Sequence, residues 1–186
     1  MTRSISLFRA ADNQFVEATL MPVTDKHLED AKNYWEPQLL GTGAEDEYWD
    51  WQRKSRWATI LPGGELYAIE CLGMTQGLLT INVLKKRCQI DSQYRKRLVY
   101  IEAIASAPWN RPKIVNPPQY KGVGTILVNF AILRSEELGY KGRIGLHSLP
   151  GALDFYRKLR IGLVDCDPDP DEPDNLIYFE TIRYDS

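Results

Sequence analysis

NPPQYKGVGTILVNFAILRSEELGY, Asn116 to Tyr140, carries a proline-bounded loop straight into an apolar helical stretch, with Gly122 and Gly124 set one residue apart at the junction. Val123, Ile126, Leu127, Phe130, Leu133 and Leu138 recur at helical spacing, which predicts a helix over Val123 to Leu138 that Gly139 stops. The first four N–H groups of such a helix have no partner within it, and its dipole adds about half a positive charge at that end. Two glycines leave the backbone bare where a ligand would touch it, and Lys121 adds a cation beside it. Together these describe a phosphate site. A tight turn that simply needs two glycines gives the same letters. The stretch has neither GxxxxGK[ST] nor a GxGxxG directly after a strand, so the common nucleotide signatures do not apply.

Upstream, Leu98 to Ala107 (LVYIEAIASA) is a nearly continuous apolar run with one acid, Glu102, and reads as a central strand covered on both faces. Pro108 ends it. Downstream come a short strand, Arg143 to His147, and a helix, Pro150 to Leu159, with proline in its first turn. An acidic proline-rich loop, Asp165 to Asp174, precedes a final strand, Leu176 to Arg183. Alternating strands and helices indicate an α/β layer with a mixed sheet.

The first half is less regular. Ile5 to Arg9 reads as an opening strand. Asp25 to Trp35 reads as a helix, with Thr24 as its N-cap and Pro37 as its end. Gly41-Thr42-Gly43 breaks the chain, and Asp46 to Thr59 is a second helix on which Trp49 and Trp57, eight apart, share a face. After the turn at Pro62-Gly63-Gly64, Leu66 to Leu72 and Leu78 to Leu84 form a hairpin. Lys85 to Arg97 is an extended charged loop.

Composition bounds the function. At 186 residues, one domain over 1–186 is the expectation. A net charge of −2 gives no global attraction to nucleic acid or anionic membrane, and no apolar run nears the ~20 residues of a membrane span. The first residues lack the apolar core of a signal peptide, so the cytoplasm is the expected compartment. Cys71, Cys88 and Cys166 are odd in number, widely spaced and without a CxxC; they read as reduced, mostly buried thiols, and no metal site is encoded.

Gln119-Tyr120-Lys121-Gly122-Val123-Gly124 resembles the (Q/R)xxGx(G/A) loop of the GNAT superfamily, the CoA-dependent N-acetyltransferases. IEAIASAP before the loop, RIGLH after it and then ALDFYRKL, similar to the family's "A..FY.K.GF" helix, follow in the family's order over about Leu98 to Leu163. The resemblance implies a mixed, mostly antiparallel central sheet flanked by helices, an acyl-CoA-binding fold. It implies acetyl-CoA as the thioester, its pyrophosphate on the N–H groups of Gln119, Tyr120, Lys121, Gly122, Val123, Gly124 and Thr125. The pantetheine arm would run beside Ile104, Ala105 and Ser106, where the sheet splays.

The implied reaction is transfer of an acetyl group to a primary amine of a small molecule or a protein. Such an amine must lose a proton, and the leaving thiolate must gain one. Glu102, a lone carboxylate in an apolar strand where burial would raise its pKa, is the candidate base; a strand-end acid paired with an arginine is the alternative. Tyr156, at the family's tyrosine position, is the candidate acid, and an aromatic of the core or packed on the cofactor is its alternative. His147 could serve either task or be structural.

Several features stay open. Gln119 stands where arginine is commoner, Leu149 where many members have asparagine, and Arg160-Ile161 intervenes before Gly162. These departures leave room for a catalytically silent acyl-CoA sensor or scaffold. Trp49, Trp51 and Trp57 would flank the acceptor pocket or pack on the sheet. Asp167, Asp169 and Asp171 would attract a cationic amine or form a solvated loop. Lys85-Lys86-Arg87 and Arg95-Lys96-Arg97 would meet the ribose phosphate of CoA, an RNA, or only water; the net charge does not favour a nucleic-acid-binding module. Members of the family often pair, so a homodimer is open, and no membrane partner is expected.

Overall fold

The computed structural model describes residues 2–166 and 176–183. Its centre is a nine-stranded sheet in the order β6-β1-β2-β3-β4-β5-β7-β9-β8. The strands are β1 (Arg3–Arg9), β2 (Gln14–Pro22), β3 (Gly64–Cys71), β4 (Met74–Asn82), β5 (Val99–Ser106), β6 (Tyr120–Lys121), β7 (Ile144–Ser148), β8 (Leu163–Asp165) and β9 (Ile177–Thr181). Only β5 and β7 run parallel; every other pair is antiparallel. The sheet is therefore mixed and mostly antiparallel, as the loop-and-strand resemblance implied. Within β2, Ala18 and Leu20 are buried while Phe15 and Glu17 face water, a period of two for a sheet wetted on one side.

Helices cover both faces. On one lie α1 (Asp25–Asp30), a π-helical turn (Ala31–Trp35), α2 (Glu36–Leu39) and α3 (Trp51–Ile60). Ala31, Trp35, Leu39 and Trp51 pack there on Ala68, Leu78, Ala103 and Ala105. On the other face α4 (Val123–Glu137) and α5 (Leu153–Lys158) set Val123, Leu127, Phe130, Ala131 and Tyr156 against Leu79, Ile81, Val99, Ile101 and Leu146.

Local chemistry explains several element ends. Thr24 starts α1, and the Nδ1 of His27, three residues on, accepts the Thr24 N–H at 2.9 Å. Pro37 does not end the helical region. The preceding turn is wound one residue wider, with Glu36 N–H reaching Ala31 O, and Pro37 falls in the first turn of α2, where its missing donor costs nothing. Trp49 lies ahead of α3 rather than on it, because the Asp50 carboxylate accepts the Arg53 N–H and fixes the helix start there. α4 closes as a Schellman motif, with Tyr140 N–H on Ser135 O and Gly139 N–H on Glu136 O. The β3–β4 hairpin turns at Leu72-Gly73, so β4 begins at Met74, four residues earlier than the sequence suggests. Among the described residues no helix is long and apolar enough to cross a membrane.

β5 carries the decisive irregularity. Thr80 opposes Ala103, but Ile81 opposes Ile101, so Glu102 is an extra residue in a β-bulge. One inserted residue reverses the alternation of the side chains. Val99 and Ile101 face α4, whereas Ala103 and Ala105 face the α1–α3 layer.

Candidate active site

The parallel ladder between β5 and β7 stops at Ile101–Leu146. Beyond it His147 and Ser148 pair only with β9, Glu102 is the unpaired bulge residue, and Ala103 to Ser106 pair only with β4. The sheet thus opens into a slot with one bare strand edge. Ala107 donates its N–H to Gln76 O on the β4 side at 2.9 Å. Alternation then turns the Ala105 main chain toward β4 and leaves the N–H groups of Ile104 and Ser106 on the open edge. Of the three strand residues expected along a pantetheine arm, Ile104 and Ser106 offer donors to the slot, and Ala105 does not. The Ser106 carbonyl accepts from Arg111 Nε at 2.8 Å.

A cavity of about 190 Å³ lies in this slot, walled by Trp49, Tyr100, Glu102, Ile104, His147 and Tyr156 among others. The two candidate proton-transfer groups, 54 positions apart in the chain, therefore share one cavity. Glu102 is not a lone carboxylate: Lys85 Nζ lies 2.9 Å from its Oε1. Tyr156 is 5% exposed, and burial pushes its hydroxyl pKa well above the ordinary tyrosine value. The His147 Nδ1 shares a 2.7 Å hydrogen bond with the Tyr100 hydroxyl, and the imidazole packs 5.0 Å from the Tyr178 ring. Lys54 extends its ammonium over the Trp49 ring at 4.0 Å, and burial lowers its pKa.

The glycine loop sits at the far end of the open edge. Gly77, opposite Ser106 in the ladder, lies so close to α4 that an added Cβ would stand 2.7 Å from Val123 Cγ1. Gly122 is the N-cap of α4 with φ of 85°, and a Cβ there would point into open space. An added Cβ on Gly124 would instead meet Phe155 Cζ at 3.2 Å. Not every expected donor is available. Gln119 gives its N–H to Trp109 O at 2.8 Å and Tyr120 gives its own to Asn110 Oδ1 at 3.0 Å. Tyr120 is buried, and Lys121 lies in the ladder with β1, its ammonium 5.7 Å from the Phe8 ring. The unused donors narrow to the first turn of α4, at Val123, Gly124 and Thr125, framed by Gly122. Asn110 Nδ2 is held in turn by Gln76 Oε1 at 3.0 Å, which ties this loop to the start of β4.

The segment Gly41 to Asp50 spans the slot like a strap. On one side Asp46 takes two hydrogen bonds from Arg111, both 2.7 Å; on the other Glu45 accepts the Gly151 N–H at 2.9 Å. Glu47 holds the strap in shape by accepting from Gly41 and Gly43 N–H groups. Trp49 and Trp51 belong to this region, with Trp51 buried, but Trp57 is 55% exposed and shares no face with Trp49. Lys85 and Lys86 lie 5.3 and 5.7 Å from the Tyr100 ring, at the Glu102 end. Ser106 is four residues further along β5, roughly 13 Å. That separates these lysines from the glycine loop, so they do not reach a phosphate bound there. Asp165 is paired with Arg157 at 2.7 Å, while Asp167, Asp169 and Asp171 fall outside the described residues. The three thiols form no disulfide among the described residues; burial, reinforced by Glu180, pushes Cys88 up to about 12. No group of His, Cys, Asp and Glu among the described residues could hold a metal ion.

Sequence reasoning missed Lys54, Tyr100 and the Lys85 partner of Glu102. They meet only through the bulge and the packing of α3, and no local pattern announces them.

No protein-family model matches the chain, and no curated protein is similar to it in sequence. Solved structures are similar to it in fold. An N-acetyltransferase from Staphylococcus aureus superposes with a TM-score of 0.53 over 88% of this chain and 96% of its own, at 14% identity. The ribosomal-protein-S18-alanine N-acetyltransferase from Escherichia coli gives 0.54 over 88% and 92%, also at 14% identity. The Bacillus subtilis N-acetyltransferase YlbP, crystallised with coenzyme A, gives 0.53 over 97% and 95%, again at 14% identity. The fold of this chain is therefore the GNAT fold of the N-acetyltransferases.

Proposed function

We propose that this chain is a CoA-dependent N-acyltransferase that moves an acetyl group from acetyl-CoA to a primary amine. The observation that carries the reading is the open edge of β5, which starts at the bulge of Glu102 and ends at the uncapped donors of α4. The open space beside Gly122, which a side chain would fill, fits a diphosphate. The first-turn N–H groups of α4 would hold it, and the Ile104 and Ser106 N–H groups would pair with the amides of the pantetheine arm. The two groups fit one extended ligand. YlbP, on the same fold, was crystallised with coenzyme A.

When bound, the thioester supplies an activated acyl group. The residues of the chain do the rest. Glu102, with a carboxylate oxygen on the cavity, takes the proton that an ammonium must lose before attack. The amine nitrogen bonds to the acyl carbon, the carbon–sulfur bond breaks, and the nitrogen gives its second proton to water to become the amide. Tyr156, kept neutral by burial, gives its proton to the departing sulfur and recovers one from water. Orientation of the amine by the slot and the strap accounts for several kcal/mol of the barrier, on the order of 7–11 at best.

Thiol release from acetyl-CoA across a panel of primary amines, with the mass of each amine followed, tests this. Release that requires an amine, with a gain of one acetyl group on it, supports the reading. A second reading, a silent acyl-CoA sensor, is favoured by the ion pair that holds Glu102 on Lys85. Calorimetric binding of acetyl-CoA with no turnover of any amine would select it.

A further inference from the structure

We propose that the acceptor is a small amine bearing a carboxylate next to its amino group, an amino acid, whose carboxylate is seated between Lys54 and Lys85. The inference rests on the transfer reading and names its substrate class. Among the described residues that wall the slot, Glu102 is the one carboxylate. Two ammonium groups serve it. Lys85 touches it at 2.9 Å, and Lys54 stands over Trp49, which forms the neighbouring wall.

Lys54 is the informative residue. Its ammonium makes no hydrogen bond or ion pair among the described residues, and its one contact of note is the face of Trp49. The carboxylates near it are committed elsewhere. Asp50 caps the start of α3, Asp46 is taken by Arg111, and Glu102 by Lys85. An ammonium drawn partly out of water without a counter-ion is costly, and burial, with the neighbouring Arg53 adding to it, outweighs the attraction of Glu102, Asp46 and Asp50 in lowering its pKa. An anion delivered by a ligand would offset that cost.

The spacing then selects the kind of anion. The base and its nearest ammonium are 2.9 Å apart. An amine that gives its proton to Glu102 therefore has a cation beside it within the reach of one or two bonds. That matches a compound whose amino and carboxylate groups sit on the same or adjacent carbons. It does not match a polyamine, which would bring further positive charge to a rim already carrying Lys54 and Lys85. The cavity of about 190 Å³ suits a small molecule of this size.

The test compares amino acids with their own carboxamides on the full-length protein, by thiol release with acetyl-CoA and by calorimetry without it. Each pair differs only in the carboxylate. The expected result is a kcat/KM at least tenfold higher for the acid than for its amide, and detectable binding of the acid alone. Lys54→Met keeps the apolar stem on Trp49 and should collapse that ratio toward one; Lys54→Glu should reverse it. If neither variant folds, the ratio measured on the unaltered chain decides. A preference for carboxamides or for spermidine overturns this inference and leaves the transfer reading standing. No thiol release with any amine overturns both.

Discussion

Gly124 and Phe155 approach so closely that a Cβ on the glycine would lie 3.2 Å from Phe155 Cζ, so α4 begins in contact with α5. Gly122, two residues earlier, has open space around it and a φ of 85°. The two glycines of the loop thus answer to different demands, one of packing and one of backbone conformation. Only the second leaves room for a ligand.

This separation gives a clean substitution. Asparagine tolerates the left-handed conformation better than other residues with a side chain. Gly122→Asn should fold with a loss of about 1 kcal/mol or less and should weaken CoA binding at least tenfold by filling the space over the α4 donors. Thermal unfolding and calorimetry with CoA read the two effects separately. Unchanged CoA affinity in the folded variant would remove the phosphate site from the loop.

Glu102→Gln removes the charge that Lys85 faces at 2.9 Å. Lys85 is half exposed, so the pair contributes little to stability, about 0–1 kcal/mol. A proton acceptor contributes far more to rate, and kcat should fall about 10²–10⁴-fold. A variant that loses stability and keeps its turnover would mark Glu102 as structural.

Tyr156→Phe deletes a buried hydroxyl. Its pKa is raised by burial, as is that of Tyr178, where Glu180 adds to the effect. The sign follows from linkage. Both groups keep their protons in the folded chain above pH ~10, where an unfolded tyrosine begins to ionise. Their contribution is complete below that pH and is lost as the pH rises further. Urea unfolding should show stability level from neutrality to about pH 9 and falling beyond about pH 10, less steeply in Tyr156→Phe. Turnover of that variant should drop at all pH values, because the proton donor is gone rather than titrated.

Asp46→Ala breaks both hydrogen bonds from Arg111 and leaves its guanidinium, 18% exposed, without that partner. A loss of about 1–3 kcal/mol in urea unfolding is expected. Protease sensitivity between Gly41 and Asp50 should rise, since Arg111 anchors one side of the strap. A cost below about 0.5 kcal/mol would show that the strap is held by Glu45 and Glu47 instead.

The elements that were legible in the sequence are those whose pattern is local. The helix after the glycines starts at Val123 as its spacing implies, and β5 lies within one residue of the apolar run that announced it. β2 was not legible. Its Ala18, Leu20 and Met21 are good helix formers, and Phe15 is 73% exposed, so neither propensity nor simple polarity marks a strand. The hairpin turn hides for a similar reason, with a leucine at φ of 49° where asparagine or glycine is customary. Of the candidate site, Glu102 and Tyr156 were visible because each stands out against its own element. Lys54 and Tyr100 were not, since what they do depends on which strand swings away and which helix crosses it. The main-chain donors expected at Gln119 and Tyr120 were misjudged because their partners, Trp109 and Asn110, lie ten residues back in the chain.

The bulge in β5 lets the strand carry Glu102 without disturbing the facing of the residues after it. Drawing Glu102 into the ladder would put Ala103 and Ala105 beneath α4, swing Ile104 into the opposite layer and turn the amides of Ile104 and Ser106 inward, whereas removing it outright would leave Ala103 opposite Thr80 and every later residue on its present face. The strand can therefore gain or lose a residue at this one place, provided that the ladder on either side keeps its partners.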